Sequence, residues 1–422
     1  MGVYDILDGK YDFEECCLVT GRVLATFLLA AALFASTGAA PAEASTVAPV
    51  FASSLMPKPP AIQAKSTILL DADNGQVLYE KDADEERAPA STTKLMTMLL
   101  VLQAVRAKQI SWTDEVPVTK DAYQVSVMPD VSSAYLDPKE HFTLRDMMKF
   151  IAVLSANDAT VAVADKLAGS QAAFVAEMNA EAARLGMTHT HYMNTNGLPE
   201  KNHYSSARDL ATLARYLVTN YPEVLQFTSI PSVQVRKSTS PWPSTDELLG
   251  HYPGLDGLKT GFTDDAGYCY VGTAKQGSVR LISVVMADTT DNIHQRFTDT
   301  KLLLDYGFHQ FHEQMVAHKG ASLSQSVSVP NGKQTDVPVA AKDNLLVDVP
   351  NGTSLQLRVV LPQSVKAPVK AGQSVGELEC LDGTTVVAKT DVVALAADAK
   401  ANWFVRMLRA IGDWFHRLLH HG

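Results

Sequence analysis

Metal and redox signatures are missing from this 422-residue sequence. It has only four cysteines, no Cys-x-x-Cys, no His-Glu-x-x-His, and twelve scattered histidines. A zinc centre or a dithiol pair therefore has nothing to build on, and we expect no metal and no cofactor. Positive charge is also scarce. Lys+Arg (36) against Asp+Glu (46) gives −10, so nothing in the global balance invites nucleic acid, and an anionic partner must be met by a local patch. No internal repeat or heptad pattern is present. With 46% hydrophobic and 19% charged residues the chain is an ordinary folded protein, long enough for two domains.

Long apolar runs are equally rare. Val23 to Ala35 is uncharged but too short to span a bilayer. With Arg22 ahead of it and Ala42-Glu43-Ala44 behind, it reads as a signal peptide, residues 1–44, that marks an exported protein. The five acidic residues before Arg22 do not suit a leader and point to a start codon assigned too early. Cys16 and Cys17 would leave with it. Cys269 and Cys380 remain, far apart and inside apolar runs, and read as buried free thiols.

The remaining chain opens with strand-like runs at 66–72 and 76–81 around Asp73-Asn74-Gly75, a hairpin turn. Helical periodicity follows at 91–108, 144–154, 158–167, 171–185 and 206–218. Strand character returns from about Gly257, with a second hairpin at 268–286, and a helix from about His294 ends at Gly307. Strands at both ends of a helical block predict an α+β fold: one antiparallel sheet flanked by helices over 57–310. Short β runs punctuated by Asn331-Gly332, Asn351-Gly352 and Asp382-Gly383 predict a small all-β domain at 316–395.

Three motifs stand in order along this framework: Ser91-Thr92-Thr93-Lys94 at a helix start, Ser155-Ala156-Asn157 between two helices, and Lys259-Thr260-Gly261 on a strand. Three residues along a helix return side chains to one face, so the Ser91 hydroxyl and the Lys94 amine can meet. Serine is a weak nucleophile until a base takes its proton. Lysine can be that base only if desolvation or a neighbouring cation strips its own proton near neutral pH, and Lys259 could be that cation. Each motif alone is common: Ser-x-x-Lys by itself usually means an N-capping serine and a solvated lysine. The ordered triplet is what points to acyl transfer.

The triplet resembles that of the serine D-alanyl-D-alanine carboxypeptidases, the low-molecular-mass penicillin-binding proteins. Arg87-Ala88-Pro89-Ala90, Val131-Ser132-Ser133, Asn157-Asp158-Ala159 and the segment His203 to Asp209 extend the likeness over most of the mature chain. The resemblance implies the serine DD-peptidase/β-lactamase-like fold. It implies that Ser91 attacks the penultimate D-alanine carbonyl of a peptidoglycan stem peptide while Lys94 takes its proton. Ser155 and Asn157 would relay protons and hold substrate. Lys259 would tune the field and Thr260 would bind the terminal carboxylate. Backbone N–H groups of Ser91 and of Phe262, which follows Gly261, would form the oxyanion hole. Arg296 aligns with a carboxylate-binding arginine, the alternative being a surface residue at a helix start. β-Lactam antibiotics would be covalent inhibitors. The chain departs from many relatives in having Phe262 where they carry His, and His203 reads as a structural residue at a helix entrance.

Residues 402–420 (NWFVRMLRAIGDWFHRLLH) form an amphipathic helix, with Phe404, Met407, Leu408 and Ile411 on one face and Arg406, Arg409 and Arg417 mostly opposite. Its charges forbid spanning. Its tryptophans and arginines suit a helix lying on an anionic membrane surface at the outer face of the cytoplasmic membrane, the alternative being a helix packed on the β domain. A β-lactamase would need an additional deacylating base, for which Glu200 and Glu223 lie in the right interval but the wrong context. A non-catalytic wall-binding protein would not need an intact triplet.

Overall fold

The computed structural model describes residues 56–289 and 291–420; the expected leader, with Cys16 and Cys17, lies outside them. Strands β1 (Ser66–Asp71) and β2 (Val77–Lys81) form the first hairpin, and β3 (Leu255–Thr263), β4 (Gly267–Gln276) and β5 (Val279–Asp288) return much later in the chain. They make one antiparallel sheet in the order β2-β1-β5-β4-β3, so the hairpin joins the last strand and leaves β3 at the edge. Period-two alternation sorts the two faces. Ile68, Ile282, Val284 and Met286 enter the larger core, while Leu69, Leu281 and Val285 meet Phe297, Leu303 and Leu304 on the other side.

The larger core is covered by α1 (Lys94–Arg106), α2 (Lys120–Ser126), α3 (Leu144–Leu154), α4 (Asn157–Ala168), α5 (Gln171–Arg184), α6 (Ala207–Asn220) and α7 (Leu225–Thr228). Side-chain caps start four of them. Thr119, Thr143, Ser170 and Ser206 each accept a backbone N–H, and Thr143 with Asp146 forms a reciprocal capping box. The opposite face carries α8 (Gln295–Gln310). Here the structure corrects the sequence reading. Gly307 lies inside α8 and does not end it, because a Cβ there would stand 2.4 Å from Leu281 Cδ1: the glycine lets the helix press onto the sheet.

The C-terminal part is all β: β6 (Phe311–Ala317), β7 (Ser322–Ser328), β8 (Asp336–Ala341), β9 (Leu345–Pro350), β10 (Gln356–Val360), β11 (Ser374–Asp382) and β12 (Thr385–Ala394). β6 pairs with β9, and the others order as β7-β8-β12-β11-β10. Its first strand starts at Phe311, before the expected residue 316, because the chain leaves α8 directly into extended backbone. Cys269 and Cys380 are buried free thiols. Helix α9 (Trp403–His420) closes the described chain, and no described helix is long and apolar enough to cross a membrane.

Candidate active site

Ser91 stands in a single 3₁₀ turn, Ala90–Thr93, that leads straight into α1. With three residues per turn, side chains three apart eclipse, so Lys94 sits directly beneath Ser91 and Nζ lies 2.8 Å from Oγ. Nζ also meets Asn157 Oδ1 (2.9 Å) and the Asn196 carbonyl oxygen (2.6 Å). Lys94 is fully buried, and among the described residues its Nζ forms no ion pair with a carboxylate. That burial, helped by the charge of Lys259 and opposed by Asp158, holds Lys94 well below the ordinary lysine range.

The hydrogen-bond count then fixes what the amine can do. Carbonyl oxygens only accept, so Nζ donates to Asn157 and Asn196; as an ammonium it also donates to Ser91 Oγ, and once it has lost a proton its lone pair faces the Ser91 O–H. Asn157 is itself oriented: its Nδ2 donates to the Ser132 carbonyl at 2.8 Å, which turns Oδ1 toward Lys94. The 132–136 loop is held in turn by buried Asp158, which accepts from Ser133 Oγ (2.6 Å) and from the N–H groups of Ala134 and Leu136 (3.0 Å each).

Ser155 caps α3 in the left-handed region (φ 59°), its backbone N–H donating to the Phe150 carbonyl, and it lines the cleft with no side-chain hydrogen bond to another described residue. Lys259, Thr260 and Gly261 lie on edge strand β3. Lys259 is fully buried, Nζ donates to the Thr260 carbonyl (2.9 Å), and burial plus the Arg296 guanidinium, against the pull of Asp246, lower it to about 7. A side chain at Gly261 would press on the serine turn. A Cβ would stand 3.0 Å from the Ser91 N and 3.2 Å from the Pro89 carbonyl oxygen, so glycine is what lets β3 close on the serine turn.

The far end of the cleft gathers hydroxyls and a guanidinium. Thr260 Oγ1 donates to Thr245 Oγ1 at 2.7 Å, and both line the cleft with Arg296. Arg296 is half-buried, donates to the Gly261 carbonyl at 3.4 Å and lies 5.0 Å from the Tyr268 ring centroid. Phe262, half exposed, stacks on the same tyrosine at 4.4 Å. The whole cleft encloses about 440 Å³, the size of a short peptide end.

All nine sequence-predicted residues thus meet here: Ser91, Ser155, Asn157, Thr260, Gly261, Phe262 and Arg296 line the cleft, and Lys94 and Lys259 lie beneath its floor. Asn196, Thr245 and Ser132 were not singled out for roles from the sequence. Asn196 and Ser132 act through backbone carbonyls, which leave no side-chain signature, although Gly197 after Asn196 marks a special turn. His203 is structural. Its Nδ1 accepts the Met193 N–H, so Nε2 carries the proton and donates to Thr93 Oγ1 (2.8 Å), and burial, then His191 and Lys94, lower it to about 4. Glu223 pairs with Arg106, Glu200 accepts from Asn194, and neither lines the cleft.

A buried lysine held well below its ordinary range and 2.8 Å from a serine hydroxyl, on an antiparallel sheet with a helical block, is the constellation of a serine acyl-transfer enzyme. The D-alanyl-D-alanine carboxypeptidase family model matches residues 53–290, and the C-terminal domain of penicillin-binding protein 5 matches residues 311–400. The D-alanyl-D-alanine carboxypeptidase DacF of Bacillus subtilis is 34% identical over 84% of this chain and 90% of its own length. The Escherichia coli enzyme DacC is 34% identical over 87% and 92%. Among solved structures, penicillin-binding protein 5 from Haemophilus influenzae superposes with a TM-score of 0.75 at 30% identity, covering 82% of this chain and all of that one. The chain belongs to the serine D-alanyl-D-alanine carboxypeptidases, the low-molecular-mass penicillin-binding proteins.

Proposed function

We propose that this enzyme trims the terminal D-alanine from peptidoglycan stem pentapeptides through an acyl-enzyme on Ser91. The observation that carries the assignment is the 2.8 Å contact between the Ser91 hydroxyl and the Lys94 amine, whose hold on its proton is weakened by burial. Lys94 takes the Ser91 proton as Oγ bonds to the penultimate D-alanine carbonyl carbon. The peptide C–N bond breaks, and terminal D-alanine leaves with a proton returned through Lys94 and Ser155. Water then cleaves the ester. The N–H groups of Ser91 and Phe262 hold the oxyanion, where losing one donor costs about 2.7–4 kcal/mol. Thr260 and Arg296 take the substrate carboxylate, Lys259 keeps Lys94 neutral, and Asn157 orients Lys94 and the substrate amide. Penicillins acylate Ser91 and stall there.

We further propose that residues 57–310 form the catalytic domain, that the β domain stands between it and the tail, and that α9 rests on the membrane surface after export. Support comes from the way α9 is held. Arg409 donates to the carbonyls of Gly332 (2.7 Å) and Lys333 (3.0 Å), while Trp403, Phe404, Leu408, Ile411 and Trp414 are exposed. The full chain should release D-alanine from a peptide ending in D-Ala-D-Ala, and Ser91→Ala should not. Deleting residues 402–422 should keep that activity and shift the protein from anionic vesicles to solution; vesicle binding unchanged by the deletion contradicts the anchor.

A further inference from the structure

A second concentration of like charge lies where the β1–β2 hairpin meets the C-terminal strands. Asp71 ends β1 and is fully buried. Its Oδ1 accepts from the N–H groups of Asp73 (2.7 Å) and Asn74 (3.0 Å), but its enclosed Oδ2 has no hydrogen-bond partner. Against the hairpin stand Glu313 of β6 and Asp348 of β9, which are direct cross-strand neighbours. Like charges placed so destabilise a sheet unless something offsets them.

The approach is held in place. Asn74 Nδ2 donates to Asp348 Oδ2 (2.7 Å), Gln76 Nε2 donates to the Asp348 carbonyl (2.7 Å), and the Asp348 N–H donates back to Gln76 Oε1 (3.0 Å). Carboxylate oxygens of Asp71, Asp73 and Glu313 consequently lie within 4.8 Å of one another. Arg215 stands beside the hairpin turn and donates to the carbonyls of Ala72 and Asp73.

We infer that Asp71, Asp73 and Glu313 form a binding site for one hard divalent cation, calcium before magnesium, that ties the β1–β2 hairpin to the C-terminal β strands. The donor set is all oxygen, which suits calcium or magnesium and not zinc or copper. Calcium takes its oxygen ligands at about 2.3–2.6 Å in flexible geometry, and three carboxylate oxygens within 4.8 Å of one another can share one such ion. Magnesium demands about 2.0–2.1 Å octahedral geometry, which a loop, a buried strand end and a cross-strand glutamate do not supply together. Only three protein ligands are present, so water completes the shell and affinity falls in the weak class, roughly 10⁻⁴–10⁻³ M. None of these residues lines the catalytic cleft, and the site stands or falls apart from the assignment of Ser91.

The test is calcium chloride alone, titrated into the full chain after chelator treatment, followed by calorimetry and by the melting temperature. One saturable site with that affinity, a melting temperature raised by calcium, and a weaker response to magnesium are expected. Glu313→Gln and Asp73→Asn change half-buried and exposed side chains, so both variants should fold, and each should weaken calcium binding at least tenfold. Absence of saturable binding and of any melting shift up to about 10 mM, ten times the weakest affinity expected, overturns the site. Wild-type affinity retained in both variants overturns it equally.

Discussion

The cleft and the hairpin junction are opposite answers to one electrostatic problem. In the cleft, Arg296 acts on Lys259 and Lys259 on Lys94, and the two lysine amines donate to neutral oxygens. At the junction, carboxylates crowd carboxylates: burial raises Asp71 and Asp348, Asp348 adds to the rise of Asp71, and Glu313 and Asp73 add to that of Asp348 against the hydrogen bond from Asn74. Elsewhere the molecule pairs its charges conventionally, as Arg280 does with Asp256 at 2.7 Å. The contrast teaches that desolvation together with a like neighbour drives a group toward its uncharged form. For an amine that yields a base able to take a serine proton. For a carboxylate it yields a place where a proton or a cation lowers the energy.

The comparison breaks most sharply at Lys94. Lys94→Ala removes the base and leaves Ser91 with an ordinary hydroxyl; acylation by penicillin should slow by about 10⁴-fold or more, by analogy with loss of a general base in serine hydrolases. A variant acylating within tenfold of wild type would detach the lysine from the chemistry. Gly197→Ala ranks next. Gly197 has φ 87° and a Cβ there would lie 1.8 Å from the Ala90 carbonyl oxygen, so the turn carrying Ser91 must move. We expect a stability loss of about 3 kcal/mol, read by denaturant unfolding, together with impaired acylation; full stability would show that the serine turn is more pliant than its packing indicates.

Lys259→Met sharpens the comparison through its pH profile. The folded value near 7 lies below the ordinary 10.5, so between those values the unfolded chain binds more protons, and this group's contribution makes wild type more stable as pH rises. Methionine lacks that slope. Its melting temperature relative to wild type should be highest at or below pH 7 and decline toward pH 10. A constant difference would mean that Lys259 is not buried as an uncompensated cation. The smallest effect belongs to Arg409→Ala, which removes the hydrogen bonds of α9 to the 330–333 turn and should cost roughly 1 kcal/mol or less at this half-buried site. A larger loss would show that the tail helix is an integral part of the β domain.

Much of this was legible in the sequence because the chemistry sits in side chains with fixed spacing. Ser91 and Lys94 are eclipsed by a local turn, and the limits of α3 follow from Thr143 and the apolar period after it. What escaped has physical causes. Asn196 contributes a carbonyl, Thr245 meets Thr260 only through a loop that returns to the sheet, and Gly307 looks like a helix stop until its contact with Leu281 is seen. Short α2 is only seven residues, two turns being too few for periodicity to show. The carboxylates of the junction come from segments near 71, 313 and 348, joined only by tertiary structure.

The central claim is that Ser91, and no other side chain, carries the acyl group. Benzylpenicillin followed by peptide mass mapping tests it directly: a single adduct on the peptide containing Ser91 is predicted, absent from Ser91→Ala. An adduct on another residue, or one that survives in Ser91→Ala, would contradict the account.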